Sequence, residues 1–332
     1  MRFLPDTEQA AFARGLRDLL DASDTPGVVR SWAAGDHGPG RALWTRLADA
    51  GVFALAVPET RGGLGTHLTE LVLACVELGR YAVPGPWVET MAAATLLARL
   101  DSPATSAWLP EIAAGRALVS LCVPTAGGPY ALDADAADVV FVADAGTVRS
   151  TRSHGAPQRS ADPARRLARP SGGTVRAHGT RALAATSYAV DVAALATAAQ
   201  ALGLGRALLE RTVAYTGLRR QFGVPVGSFQ AVKHRLADTL VGLEFAGPLV
   251  HAGALALAAP EPGAGRLVAG AKVAAGEAAY AAASTALRLH GALGYTDEPD
   301  LSLWIRKARP LRDAWGAPAA CRARVVAEAV PR

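Results

Sequence analysis

From Tyr188 to Leu218 the chain reads YAVDVAALATAAQALGLGRALLERTVAYTGL, with apolar residues recurring at three and four. That period specifies a long helix. Helical patterning starts near Leu183, and further long helices are predicted over about 229–258 and 265–290, with shorter ones to the end. Long helices joined by short breaks make an antiparallel bundle. Alanine dominates the apolar residues, and such small side chains imply close helix packing rather than a membrane. No apolar run reads as long enough to span a bilayer without interruption.

The rest of the chain must fit around that bundle. Asp6-Thr7-Glu8 is a helix start, followed by an apolar face of Leu16, Leu19 and Leu20. ALWTRLADAG repeats the pattern up to Gly51, a helix is predicted from about Thr69, and another from Trp87 to Leu100 after the Pro84-Gly85-Pro86 break. ALVSLCVP and ADVVFVAD then carry strand signals. The expected fold is mostly α with a small β domain. It divides into an N-terminal helical domain (1–116), a reduced middle β domain (117–182) and a C-terminal four-helix bundle (183–332).

The chain has 332 residues, enough for a large core and more than one domain. Its net charge of +5 invites a nucleic-acid partner, but the arginines are scattered among acids. The basic excess is densest in TRSHGAPQRSADPARRLARP, which reads as loop, and no helix carries a basic stripe with interleaved aromatics. Nucleic acid is therefore not expected; a phosphate-bearing small ligand or thioester fits a modest excess as well. Cys75, Cys122 and Cys321 are far apart and form no CxxC pair, so the reading is three buried thiols in a reducing cytoplasm. The histidines show no metal-binding spacing, and no metal site is expected. The N-terminus carries acids and an amphipathic period, unlike a secretory signal.

Between the first two long helices stands Arg219-Arg220-Gln221-Phe222-Gly223, with Gln230 opening the next helix. Arginine presents a flat fork of donors suited to phosphate oxygens, and a nearby helix N-terminus favours anions. Phe222 offers a surface for a flat ring. Together they suit a pyrophosphate with an attached base. They equally suit a helix C-terminus finished by cations and a glycine stop.

RRQFGVPVGSFQAVKHRLAD closely resembles the flavin-binding signature of the acyl-CoA dehydrogenase family, and VPETRGGLGTHLTELVLACVELGR and LHGALGYTDEPDLSLWIRKA extend the resemblance over nearly the whole chain. The resemblance implies the same three-part fold, dimers or tetramers, FAD and an acyl thioester. It also implies that Arg219, Gln221, Phe222 and Gln230 reach across a subunit interface to FAD held by the neighbour. Arg288 and Gly291 fall in the family's glycine turn, where Arg288 replaces an amide and Ala292 a glycine. Arg288 suits a phosphate or an ordinary helix end.

The departures bear on the chemistry. The family's carboxylate base takes the α proton of the thioester while flavin accepts the β hydride. Counted without gaps, its Glu-Gly-Thr falls on Trp315, Gly316 and Ala317. Asp313 lies two residues earlier. An alternative base position in the first bundle helix falls near Ala193, with Asp191 close by. The β domain lacks the family's flavin-cradling segments, although Tyr130 stands near the place of a tryptophan. Asp162 and Arg165 in SADPARRLARP read as structural.

What the chain loses would serve its own active site; what it keeps would serve a neighbour's. The leading expectation is an FAD-supporting subunit of a heteromeric α,β-dehydrogenase, with the base on a partner of the same family. The alternative is a flavin-independent enzyme running dehydration or cyclisation on an acyl or polyketide thioester, with His290, Arg288, Asp297 and Glu298 as acid–base groups. A self-sufficient dehydrogenase would need Asp313 or Asp191 as its base.

Overall fold

The structure, a computed structural model, describes residues 5–259 and 262–328; the outer ends of the first and last expected domains lie outside that range. Helix α1 (Thr7–Asp21) starts at Asp6, whose carboxylate accepts from Gln9 N while the Gln9 side chain accepts from Asp6 N. α2 (Thr25–Ala34), α3 (Gly38–Asp49), α4 (Leu68–Arg80), α5 (Trp87–Leu100) and the short α6 (Pro103–Ser106) and α7 (Leu109–Ala113) complete the first helical part. α5 is apolar almost all round, and every residue from Trp87 to Leu97 is buried.

The middle part holds β1 (Val119–Cys122), a helical turn α8 (Pro124–Gly127), β2 (Ala131–Leu132), β3 (Val139–Asp144), β4 (Thr147–Thr151), β5 (Leu167–Ala168) and β6 (Thr174–His178). The main sheet has the order β1-β3-β4-β6. β1 lies parallel to β3, with Val119 opposite Val139, and the other pairs are antiparallel. β2 and β5 form a separate two-residue ladder that places Asp133 beside Arg166.

α9 (Thr180–Leu218) starts three residues before the expected Leu183 and has 39 residues, about 58 Å of helix. A hairpin of β7 (Arg220–Gln221) and β8 (Val224–Pro225) leads to α10 (Gln230–Ala258), α11 (Ala264–Leu289), α12 (Leu301–Asp313) and α13 (Pro318–Ala327). α9 to α12 make the bundle. α9 is buried continuously from Asp191 to Ala201 and on through Gly205. Its small residues let α4 approach backbone to backbone: a Cβ on Gly203 would stand 1.8 Å from Val76 O, and one on Gly79 2.1 Å from Gln200 O. One hydrophobic core runs from α1 through β1 and β3 into α12.

The sequence reading on membrane length needs correction. By length and composition alone, α9 and α10 are both long and apolar enough to cross a bilayer. The most apolar window of α9 is 94% buried within the protein, which makes it a core helix; that of α10 is only 39% buried. On its outer face Leu240, Val241, Phe245 and Leu249 are exposed.

Candidate functional site

Helix α5, the β part and the bundle meet at a small closed space. α5 contributes Glu89, the β part Asp133, Asp162 and Arg165, and the bundle Thr197, Gln200, Lys307 and Trp315. Its volume is about 20 Å3, room for a single water. A second space of about 50 Å3 shares Glu89, Leu132, Arg165 and Trp315 with the first. Small-molecule sites run to roughly 300–1,000 Å3. The junction as folded admits neither an acyl chain nor a flavin ring.

Trp315 closes it. α12 ends at Asp313, and the chain turns inward through Trp315 at φ 50° and Gly316 at φ 138°. A bulky residue at positive φ is strained, so the turn must be held by its surroundings. Lys272, buried on α11, holds it: its Nζ donates to Leu311 O (3.1 Å), Arg312 O (2.9 Å) and Gly316 O (3.2 Å). Leu311 O and Arg312 O are end carbonyls that α12 cannot satisfy itself, and Gly316 O belongs to the turn that follows. Burial pulls the Lys272 ammonium down to about 8. The turn sends the indole beside Gly127 of the β part, and Nε1 donates to Glu89 Oε1 at 2.9 Å.

The charges around the ring come from separate elements. Glu89 is 3% exposed, and its Oε2 has no partner among the described residues. Burial raises the Glu89 carboxyl above the usual range, against the opposing pull of Arg165 and of the Trp315 hydrogen bond. Asp162 is paired with Lys307 at 2.6 Å, both buried, and accepts from Ala164 N at 3.0 Å. Asp162, read from the sequence as structural, is held in this ion pair, and Arg165 lines both spaces.

Asp133 is fully buried and accepts from Arg166 N, and burial pushes its carboxyl up to about 8. The folded state therefore holds a proton that the unfolded chain releases near pH 4. This contribution to stability is complete below that pH and is lost as pH rises through about 8. Asp133→Asn, which keeps the acceptor but not the titration, is expected to remove most of the fall in stability between pH 5 and pH 8. Denaturant melts of both proteins across that range check it; parallel curves would refute it.

The two aspartates considered as bases lie elsewhere. Asp191 is clasped by Arg324, with Nη2 3.1 Å from Oδ2. Asp313 pairs at the surface with Arg309 and Arg312, at 3.4 Å each. Neither lines the junction. Nor do the alternative acid–base groups. His290 stacks on Tyr215 (4.1 Å between centroids), its Nδ1 lies 2.8 Å from Ala286 O, and burial lowers its pKa. Asp297 pairs with Arg306, and Glu298 and Arg288 are exposed. Glu89 and Asp133 escaped the sequence reading. The available signal was a lone carboxylate inside the apolar run WVETMAAATLL, which reads as a wholly buried helix.

The expected cofactor residues gather at one end of the bundle. Phe222 (φ 52°) and Gly223 (φ 82°) form the two-residue tip of the β7–β8 hairpin, the left-handed pair of a type I′ turn. Phe222 is 93% exposed, its ring edge-on to Phe229. Arg219 and Gln221 are exposed beside it, Arg220 closes the turn by donating to Gly223 O, and Gln230 opens α10. The Tyr215–His290 stack joins this end of α9 to the end of α11, where Arg288 and Gly291 (φ 61°) lie exposed. This surface gathers exposed cations, amides and an aromatic ring.

Comparison with known proteins agrees with this architecture. Residues 6–116 match the model of the acyl-CoA dehydrogenase N-terminal domain and residues 182–330 that of the acyl-CoA dehydrogenase C-terminal domain. The chain is 35% identical over 306 residues to acyl-CoA dehydrogenase IpdE2 of Mycobacterium tuberculosis, covering 92% of each. Among solved structures it resembles the ChsE4–ChsE5 complex of Mycobacterium tuberculosis (TM-score 0.86, 23% identity, all of both chains covered). It also resembles a glutaryl-CoA dehydrogenase of Mycobacterium smegmatis in complex with FADH2 (TM-score 0.82, 20% identity, covering 100% of this chain and 96% of that one). With both terminal domains matched and a relative this similar along nearly its whole length, the chain belongs to the acyl-CoA dehydrogenase family.

Proposed function

We propose that this chain is a cofactor-completing, non-catalytic subunit of a heteromeric acyl-CoA dehydrogenase, with the base and the acyl thioester on a partner of the same family. The observation that carries the reading is Trp315. It stands where the family's base is counted, cannot accept a proton, and closes the junction against Glu89. The bundle end, by contrast, is open and fully equipped. A phenylalanine at positive φ, held out into solvent, is costly unless something covers it. The exposed apolar stripe on α10 calls for a cover of the same kind. Arg219, Gln221, Phe222 and Gln230 suit one side of a pyrophosphate-bearing ring, while the chain's own junction has no room for the other. The ChsE4–ChsE5 relative, solved as a complex, offers a precedent within the fold.

The visible absorption spectrum tests this. Purified alone, the chain is expected to be colourless; co-purified with its partner, it should carry flavin. Arg219→Ala and Phe222→Ala in the complex are expected to lower flavin affinity about tenfold or more, since charge-assisted bonds and stacking contribute on that scale. Near-stoichiometric flavin in the isolated chain would refute the proposal.

A second reading, a flavin-independent acid–base enzyme, now rests on Glu89 rather than on His290 or Asp297. A buried carboxyl whose pKa is raised by burial has the character of a general acid. That reading requires the junction to open, and it predicts that Glu89→Gln abolishes turnover of an acyl thioester by the chain alone.

A further inference from the structure

The basic stretch that the bundle end leaves unused borders a hollow of its own. The loop from Pro157 to Pro163 turns Asp162 inward to Lys307, while its outer side lines a hollow of about 470 Å3 with Arg166 of the β part, Arg306 of α12 and Ala33 of α2. Three arginines line this hollow, Arg159, Arg166 and Arg306, together with Gln158 and Ser160.

Two of the three are fixed in place. Arg166 donates through Nε (2.8 Å) and Nη2 (2.5 Å) to Asp135. Arg306 donates through Nε to Ala161 O (3.1 Å) and through Nη1 to Asp297 (2.8 Å). These contacts neutralise each charge roughly one for one and hold each fork rigid. Arg159 differs: it is exposed and has no hydrogen bond or ion pair among the described residues. The hollow therefore combines one uncompensated cation with two fixed arginines whose charges are already paired and whose remaining N–H groups alone are open to a ligand, and its loop is stiffened by prolines and by Gln158 N donating to Leu167 O.

We propose that this hollow binds a phosphate-bearing small molecule through Arg159, with Arg306 and Arg166 completing the cradle. Phosphate suits it because guanidinium forks match phosphate oxygens bidentately, and the volume admits a nucleotide-sized group. The site is distinct from both the closed junction and the bundle end, and it does not depend on the subunit reading.

Calorimetric titration of the full chain, or of its complex, with inorganic pyrophosphate and with adenosine 3′,5′-bisphosphate tests it, with sodium chloride of matched ionic strength as control. Saturable binding is expected, weakened about tenfold by Arg159→Ala and partly kept by Arg159→Lys. Arg159 is exposed and unpaired, so its replacement should leave the melting temperature unchanged. Adenosine bisphosphate at least tenfold tighter than pyrophosphate assigns a nucleotide ligand; equal affinities assign recognition of the phosphate group alone. Unsaturable binding, binding matched by chloride, or affinity unchanged in Arg159→Ala overturns the proposal.

Discussion

Lys307→Met is expected to destabilise the protein by about 3–5 kcal/mol, read from denaturant unfolding at neutral pH. The substitution keeps an unbranched side chain one atom shorter and removes the charge facing Asp162, which is 2% exposed. The carboxylate would keep one hydrogen bond, from Ala164 N, and lose its counter-ion. Adding Asp162→Asn should restore most of the loss, because a buried pair replaced on both sides often comes out near neutral. The cycle separates an uncompensated charge from simple loss of packing. A double variant as unstable as the single one would mean that packing dominates. The loss also has a structural meaning: Lys307 and its neighbour Arg306 both grip the loop at Ala161 and Asp162, tying the β part to the bundle. Weakening that grip should raise proteolysis between Pro157 and Pro163 first.

Much of this frame was legible in the sequence, for reasons particular residues make plain. Asp6 with Gln9, the Pro84–Pro86 break and the three-four period around Leu195 are local signals, and the elements they mark form where expected. β2 and β5 were not legible, because two-residue strands carry no period and exist only by pairing across 35 residues of chain. The hairpin tip was legible as a cationic and aromatic break but not as a turn, since a phenylalanine at positive φ contradicts its own propensity. The junction was hardest. Glu89, Asp133 and the Lys307–Trp315 stretch are far apart along the chain, and only the folded core brings them together. Counting along the chain put the family's base position at Trp315, a residue that cannot accept a proton. It did not reveal that the ring turns inward onto a second carboxyl.

That contact makes Trp315→Ala the other large expected effect. Removing a buried tryptophan ring costs about 3–5 kcal/mol from lost burial and the cavity left behind. Here Glu89 also loses its indole donor. Trp315→Phe keeps most of the bulk without the N–H, so its loss should be smaller, about 1–3 kcal/mol, the cost of a buried acceptor left unmet. Glu89→Gln should be neutral or stabilising at neutral pH, because the amide still accepts from Trp315 without a carboxyl that burial disfavours in its charged form. Denaturant melts of the three variants would order them alanine, phenylalanine, glutamine from least to most stable. If Glu89→Gln were as damaging as Trp315→Ala, the ionised carboxylate itself would be holding the junction, and Arg165 would be its partner. If Trp315→Ala were nearly silent, the ring would not be the closure, and the case for a site sealed against its own substrate would fall with it.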